Sequence, residues 1–282
     1  DVRDAEYLAL RARDAEAIIH LAAIINIDNA NAFPELAVEI NIDGTFNVLE
    51  VARKMDLKVV FASTSEVYGT MQHSCGLAES CIEDGECETC IGISESHPLD
   101  GQSPYAATKI AGDRMCHAWK DTYGMDINVV RLFNTFGPYQ ADDGYGGVIA
   151  KFTRMALGAE PMTIYGDGSQ VRDYLWIDDA IEAYRLALST QFEGPVNFGT
   201  GQTVTILYLA QKIHQLVHPS GIANKKAAWV FGPPRKGEVQ HLQCDATKAR
   251  SLGWTPKTLF DDGLERYVQV ANLNLGSLEM KT

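Results

Sequence analysis

Tyr105 and Lys109 stand four residues apart at the head of a segment with helical spacing, so their side chains share one helix face. An ammonium beside a phenol stabilises the phenolate and lowers a tyrosine pKa from about 10, which makes the phenol a usable base. On spacing alone the pair reads as two neighbours on a helix surface, because Tyr-x-x-x-Lys is frequent by chance. The context upstream reverses that reading. Ser63, Thr64, Ser65 and Glu66 follow an apolar run and lead to Val67, Tyr68 and Gly69. A mere turn would favour Gly, Asn or Pro. Hydroxyls and a carboxylate beyond the carboxyl end of a strand stand where open α/β sheets bind their ligands.

The elements that must position these groups are legible in the apolar pattern. Residues 17–23, 58–63 and 127–132 are short apolar runs, which predict buried strands. Helical spacing fills 34–54 and 103–122, and the second helix is expected to end at Tyr123-Gly124, where glycine takes a left-handed cap. Strands that alternate with helices and read as unbroken apolar runs predict a parallel sheet covered on both faces. That is a doubly wound α/β fold. Beyond Gly137-Pro138 the pattern loosens. Helices are expected over 147–157, 178–189, 205–217, 245–252 and 258–272, with strands near 162–165, 171–176 and 227–231.

Ten segments in this order resemble the extended short-chain dehydrogenase family, the nucleotide-sugar epimerases and dehydratases. They are Asp1-Val-Arg-Asp4, His20-Leu-Ala-Ala23, Asn41-Ile-Asp-Gly-Thr45, Ser63 to Gly69, Ser103 to Lys109, Arg131 to Pro138, Tyr165 to Gly168, Arg172-Asp-Tyr174, Asn197 to Gly201 and Arg235 to Glu238. The resemblance implies a Rossmann-like NAD-binding domain over 1–138, with a Cys-rich insert at 72–94. A smaller mixed α/β nucleotide-sugar portion over 139–282 would be interleaved with the sheet.

It also implies roles. Tyr105 would remove a sugar hydroxyl proton while hydride passes to the nicotinamide of NAD, with NADP an alternative. Lys109 would hold the nicotinamide ribose and depress the Tyr105 pKa, and Thr64 would bridge the sugar hydroxyl and Tyr105. Asp1 and Val2 would border the adenine, and Leu21, Ala22 and Ala23 the cofactor's backbone. Asn41, Ser63 and Phe133 would stand on the cofactor side; Ser65, Asn134 and Glu238 on the substrate side. Arg172 and Arg235 match cations that clamp a diphosphate, a geometry suited to guanidinium forks. Asn41 reads equally as a bridge between backbone groups, and His20 as a packed core histidine.

Glu66 separates the activities within the resemblance. Family dehydratases carry a Glu here that takes the proton next to the new keto group, while the middle position, Ser65 in this chain, is as in GDP-mannose dehydratase-like and UDP-glucuronate decarboxylase-like turns. The leading expectation is a UDP-glucose 4-epimerase-like enzyme working through a transient 4-keto sugar. A 4,6-dehydratase or a decarboxylase is the alternative, and a non-catalytic relic of the family is the reading from another class.

The Gly-rich loop that would meet a pyrophosphate is expected before Asp1, so the chain reads as lacking its first βαβ unit. Gly199-Thr-Gly201 has Val204 where a third glycine would stand, and reads as a loop of the second half. Cys75, Cys81, Cys87 and Cys90 crowd one acidic stretch. Four thiols there could wrap a zinc ion, with His73 and His97 as substitute ligands, although only Cys87-x-x-Cys90 has familiar ligand spacing; free thiols or occasional disulfides are the leading expectation, and an iron–sulfur site is the remaining reading.

A net charge of −13 without a basic cluster argues against nucleic acid and anionic lipid as partners. No run approaches the ~20 apolar residues of a membrane span, and Asp1-Val-Arg-Asp4 is not a charged-then-apolar leader. The expected compartment is cytoplasm. A homodimer is expected through the helices near 34–54 and 103–122, which match the family's pairing helices.

Overall fold

Four parallel strands in the order β1 (Ala17–His20), β2 (Lys58–Thr64), β3 (Ile127–Leu132) and β7 (Val196–Phe198) build the main sheet of the computed structural model. The structure describes residues 1–71, 92–141, 147–219, 228–235 and 238–279. The cluster Cys75, Cys81, Cys87 and Cys90 lies outside the described residues.

The first half runs α1 (Ala5–Arg11), β1 (Ala17–His20), α2 (Ile27–Ala32), α3 (Pro34–Val38), a π-helical turn and α4 (Gly44–Met55). It continues with β2 (Lys58–Thr64), a 3-10 turn (Ser65–Tyr68), α5 (Pro104–Tyr123) and β3 (Ile127–Leu132). The predicted apolar runs are these strands. In register, Ile19 faces Val60 and Val60 faces Asn128. One face of the sheet packs Phe61, Ile127 and Val129 against Val48, Leu49 and Cys116 of α4 and α5. Gly112 permits that approach, because a Cβ there would lie 2.6 Å from the Phe61 ring. The expected cap is present too: Gly124 closes α5 at φ +65°. β1 is the edge of the described sheet and leaves Ile19 40% exposed.

The second half contains β4 (Asn134–Phe136), α6 (Val148–Leu157), β5 (Met162–Tyr165), β6 (Val171–Trp176) and α7 (Ile177–Ser189). After these come β7 (Val196–Phe198), β8 (Thr203–Thr205), α8 (Ile206–Val217), β9 (Trp229–Gly232), β10 (His241–Leu242), α9 (Thr247–Ser251) and α10 (Phe260–Glu279). α7 covers the other face of the main sheet, where Ala180, Ala183 and Ala187 meet Val60, Val130 and Phe198. β6 centres a second sheet with β4 and β10 parallel and β8 antiparallel, and β5 pairs with β9.

Two buried polar knots lock the loops at the carboxyl ends of these strands. Arg131 donates to both carboxylate oxygens of Asp113 at 2.8 and 2.9 Å and to the Tyr68 phenol at 2.7 Å. Ser63 donates to the same carboxylate at 2.9 Å, and the Tyr68 phenol donates onward to Asn197 at 2.7 Å. Removing one partner strands the other charge in the interior. Arg131→Met is therefore expected to cost about 3–5 kcal/mol, a fall of roughly 10 °C in Tm by thermal unfolding. An unchanged Tm would show that Asp113 finds compensation elsewhere.

The second knot explains Gly199-Thr-Gly201. Asp173, fully buried, accepts from the backbone of Thr200, Gly201 and Cys244 and from the Thr200 hydroxyl. A Cβ at Gly199 would lie 3.0 Å from that carboxylate and 2.5 Å from Cys244 Cβ. These glycines wrap a carboxylate of the same chain.

Candidate active site

A cleft of about 890 Å³ opens between the carboxyl ends of the main sheet and α6, β5 and β6 of the second half. It gathers Thr64, Glu66, Tyr105, Asn134, Arg172, Arg235 and Glu238. Local sequence chemistry sets the first three. Thr64 ends β2 in extended conformation, and its hydroxyl accepts from Glu66 N at 3.2 Å, which starts the 3-10 turn. Gly69 leaves that turn at φ +68°, where a Cβ would fall 2.3 Å from Asp100 O. Ser103 caps α5 by accepting from Ala106 N, and Pro104 occupies the first turn, so Tyr105 enters the cleft from a rigid helix start.

Tyr105 shares a side-chain hydrogen bond with Thr64. Its ring is 8% exposed against Ala30 and Ala37. Burial pushes the phenol above its ordinary range, the Thr64 hydrogen bond opposes this, and Glu66 adds to the rise. The Lys109 ammonium lies 4.4 Å from the centre of the Phe61 ring, and burial pushes its own pKa down to about 8. Burial also raises the Glu66 carboxyl; the charge of Arg172 opposes that and Glu238 reinforces it.

Arg235 stacks its guanidinium 4.0 Å from the Tyr165 ring, and Arg172 donates to Val171 O at 2.9 Å. Gln170 donates to Tyr165 O at 2.8 Å and to Glu238 at 3.3 Å. The phenol of Tyr174 and Oε1 of Gln170 line the cleft in residues 5% and 4% exposed, without a hydrogen-bond partner among the described residues. Buried polar atoms in this state suit a polar ligand. Sequence reasoning missed Gln170, and also Lys151 and Arg154, two cleft-lining cations on α6. Their position four and seven residues beyond the start of the helix expected over 147–157 carried no motif.

The remaining expected site residues stand outside the cleft lining. Ser63 is spent on Asp113, and Ser65 is 2% exposed with its side chain outside the cleft lining. Phe133 is 1% exposed in the core beside Val130 and Leu175. Asn41 accepts from Ile24 N at 2.7 Å and donates to Ile24 O and the Thr108 hydroxyl, so its amide bridges the chain after β1 to α5. His20 stands 3.0 Å from the Thr45 hydroxyl. That hydroxyl gives its proton to Asn41 O at 2.6 Å, so His20 Nε2 must be the donor. Burial brings the His20 pKa down to about 4, which keeps the ring neutral. Leu21 and Ala22 are exposed beyond β1, with Ala23 half-buried. Asp1 pairs with Arg3 at 2.6 Å, and Val2 lies against Gly44, where a Cβ would meet Val2 Cγ2 at 2.5 Å.

A sequence profile of the GDP-mannose 4,6 dehydratase family matches residues 1–267. The UDP-N-acetyl-alpha-D-glucosaminuronate decarboxylase of Bacillus cytotoxicus is 32% identical, over 90% of this chain and 76% of its own length. The UDP-glucose 4-epimerase of Thermotoga maritima, solved with UDP-glucose, superposes with a TM-score of 0.85 at 29% identity, covering 98% of this chain and 84% of that one. A dTDP-glucose 4,6-dehydratase of Streptomyces venezuelae, solved with NAD bound, gives a TM-score of 0.83 at 30% identity over 98% and 79%. The chain belongs to the GDP-mannose 4,6 dehydratase family, among the NAD-dependent nucleotide-sugar epimerases and dehydratases of the extended short-chain dehydrogenase type.

Proposed function

We propose that the cleft takes a nucleoside-diphosphate sugar and that the chain acts as a nucleotide-sugar 4,6-dehydratase with NAD. One observation carries the choice: Glu66 stands in the same cleft as Thr64 and Tyr105, with a carboxyl that burial makes more basic. The UDP-glucose 4-epimerase-like reading leaves Glu66 without a task. A chain of net charge −13 that still lines its cleft with Arg172, Arg235, Lys151 and Arg154 is suited to an anionic ligand.

The residues present fit the cofactor. Lys109 offers a buried ammonium with no acceptor among the described residues, beside a phenol already joined to Thr64. Lys109, Tyr105 and the chain after β1 would hold NAD, which when bound accepts hydride from C4 of the sugar and returns it later in the reaction. Tyr105, as the phenolate that the Thr64 hydrogen bond and the Lys109 ammonium one helical turn away would favour against burial, takes the C4 hydroxyl proton through Thr64. The resulting 4-keto group acidifies C5–H, and Glu66 removes that proton. The C5–C6 double bond forms as the C6 hydroxyl leaves, and the proton on Glu66 completes the departing water. The raised pKa of Glu66 suits a carboxyl that must both take and give a proton.

The test is the mass of the product formed from a panel of UDP-, dTDP- and GDP-sugars with NAD. A dehydratase yields a 4-keto sugar lighter by one water. An isomer of unchanged mass would restore the epimerase, and loss of carbon dioxide from a uronic acid would establish the decarboxylase.

The assembly proposed is a homodimer. Phe46 of α4 and Tyr123 of α5 are 44% and 53% exposed, and both rings flank Trp119. An aromatic cluster on adjacent helices is a surface that association would cover. Light scattering at micromolar concentration is expected to return a dimer, and a monomer would overturn this surface as its interface. Among the described residues no helix is long and apolar enough to cross a membrane.

A further inference from the structure

Lys109 carries its charge into the interior at 5% exposure, and no described residue accepts a hydrogen bond from it or forms an ion pair with it. A buried ammonium in that state is costly unless its surroundings compensate. The contact the structure provides is the face of Phe61, whose ring centre lies 4.4 Å from Nζ. Ring faces attract cations, and more strongly where water is excluded.

The packing around this contact is specific. Phe61 is 1% exposed, three residues before Thr64 on β2, and outside the cleft lining. Gly112 lies on the same helix as Lys109, and a Cβ there would be 2.6 Å from Phe61 Cζ. A larger residue would push the ring from its place or lift α5 off the sheet. His20 from β1 stands 5.8 Å away, ring to ring, and donates to Thr45 as a neutral imidazole. The aromatic face is thus shared with no second cation.

We propose that Phe61 is a positioning residue of the active site, its ring face holding the Lys109 ammonium charged and in place one helical turn from Tyr105. It touches neither substrate nor cofactor and acts through Lys109 alone. The inference rests on the reading that Lys109 works beside Tyr105. The other groups facing Lys109 are Cys116 of α5, a thiol that burial keeps protonated, Asp113 of α5, which favours its charge, and His20, which opposes it when protonated.

The test replaces Phe61 with phenylalanines of increasing fluorination, which nearly preserve the ring's size beside Gly112 while draining its face. Ionisation of Lys109 is read by its reactivity toward an amine-selective reagent against pH, without turnover. The Lys109 pKa, about 8 with the native ring, is expected to fall by on the order of one unit across the series. The alkaline limb of kcat/KM should fall with it. Phe61→Leu, which keeps apolar burial and loses the face, should give the same shift. A Lys109 pKa constant across the series overturns the proposal, whatever the chain catalyses. A pKa that moves while the alkaline limb stays fixed overturns the positioning role and leaves Tyr105 and Glu66 as assigned. If no nucleotide sugar is turned over, the functional reading fails, and the titration still decides whether Phe61 holds the ammonium.

Discussion

Tyr105→Phe is expected to lower turnover by about 10²–10⁴-fold, the usual contribution of a positioned general base. The hydroxyl it removes is the one that meets Thr64, and the ring it keeps packs against Ala30 and Ala37. Thr64 continues to accept from Glu66 N, so the 3-10 turn that aims the carboxylate is retained. Arg172 and Arg235, the cleft cations proposed to meet an anionic ligand, stand elsewhere in the chain and lose nothing. Binding of a nucleoside diphosphate, read by titration calorimetry, should stay near wild type while kcat collapses. That split separates a lost proton transfer from a distorted site. Full activity in the variant would show that Tyr105 is not the base.

The parallel sheet was legible because β2 and β3 carry apolar side chains on both faces at their centres, Val59 to Ala62 and Val129-Val130, and only a two-sided core accepts such segments. β7, β8 and β10 were not, since strands of three, three and two residues have no period to read. Within the site, alternation was the neglected signal. Successive side chains of extended backbone point to opposite faces. On β2 Ser63 turns inward while Thr64 reaches the cleft, and Asn134 lines it while Phe133 fills the core; in the 3-10 turn after β2, Ser65 is buried and Glu66 lines the cleft. The resemblance placed all six near the ligand; backbone geometry divides them. Helical spacing correctly set Tyr105 and Lys109 on one face, yet spacing gives a face and not a partner. The phenol met Thr64 and the ammonium met Phe61 because tertiary packing brought those groups within reach. The knot of Ser63, Asp113, Arg131 and Tyr68 was invisible for the same reason. Its members come from three elements and the turn after β2, and no local pattern announces a buried ion pair.

Glu66→Gln is expected to stop elimination while leaving the first oxidation intact. The amide matches the carboxylate in size, so the turn from Thr64 to Gly69 should hold and the cleft should keep its shape. What disappears is the ability to take a proton from the carbon next to the new carbonyl. Tyr105, Thr64 and Lys109 are untouched, so the C4 hydroxyl should still be oxidised. Reduced cofactor and a 4-keto sugar that retains its C6 oxygen should then accumulate in stoichiometric amounts. Overall turnover should fall by about 10²–10⁴-fold, the range for loss of a general acid–base group. Single-turnover absorbance of reduced nicotinamide, followed by mass analysis of the trapped sugar, reads both quantities. An epimerase would behave otherwise, because inversion at C4 moves only the hydride and the hydroxyl proton and never breaks C5–H. It would lose little rate and accumulate nothing. Near-wild-type turnover in Glu66→Gln would therefore remove the dehydratase reading and return Glu66 to a role in shaping the turn.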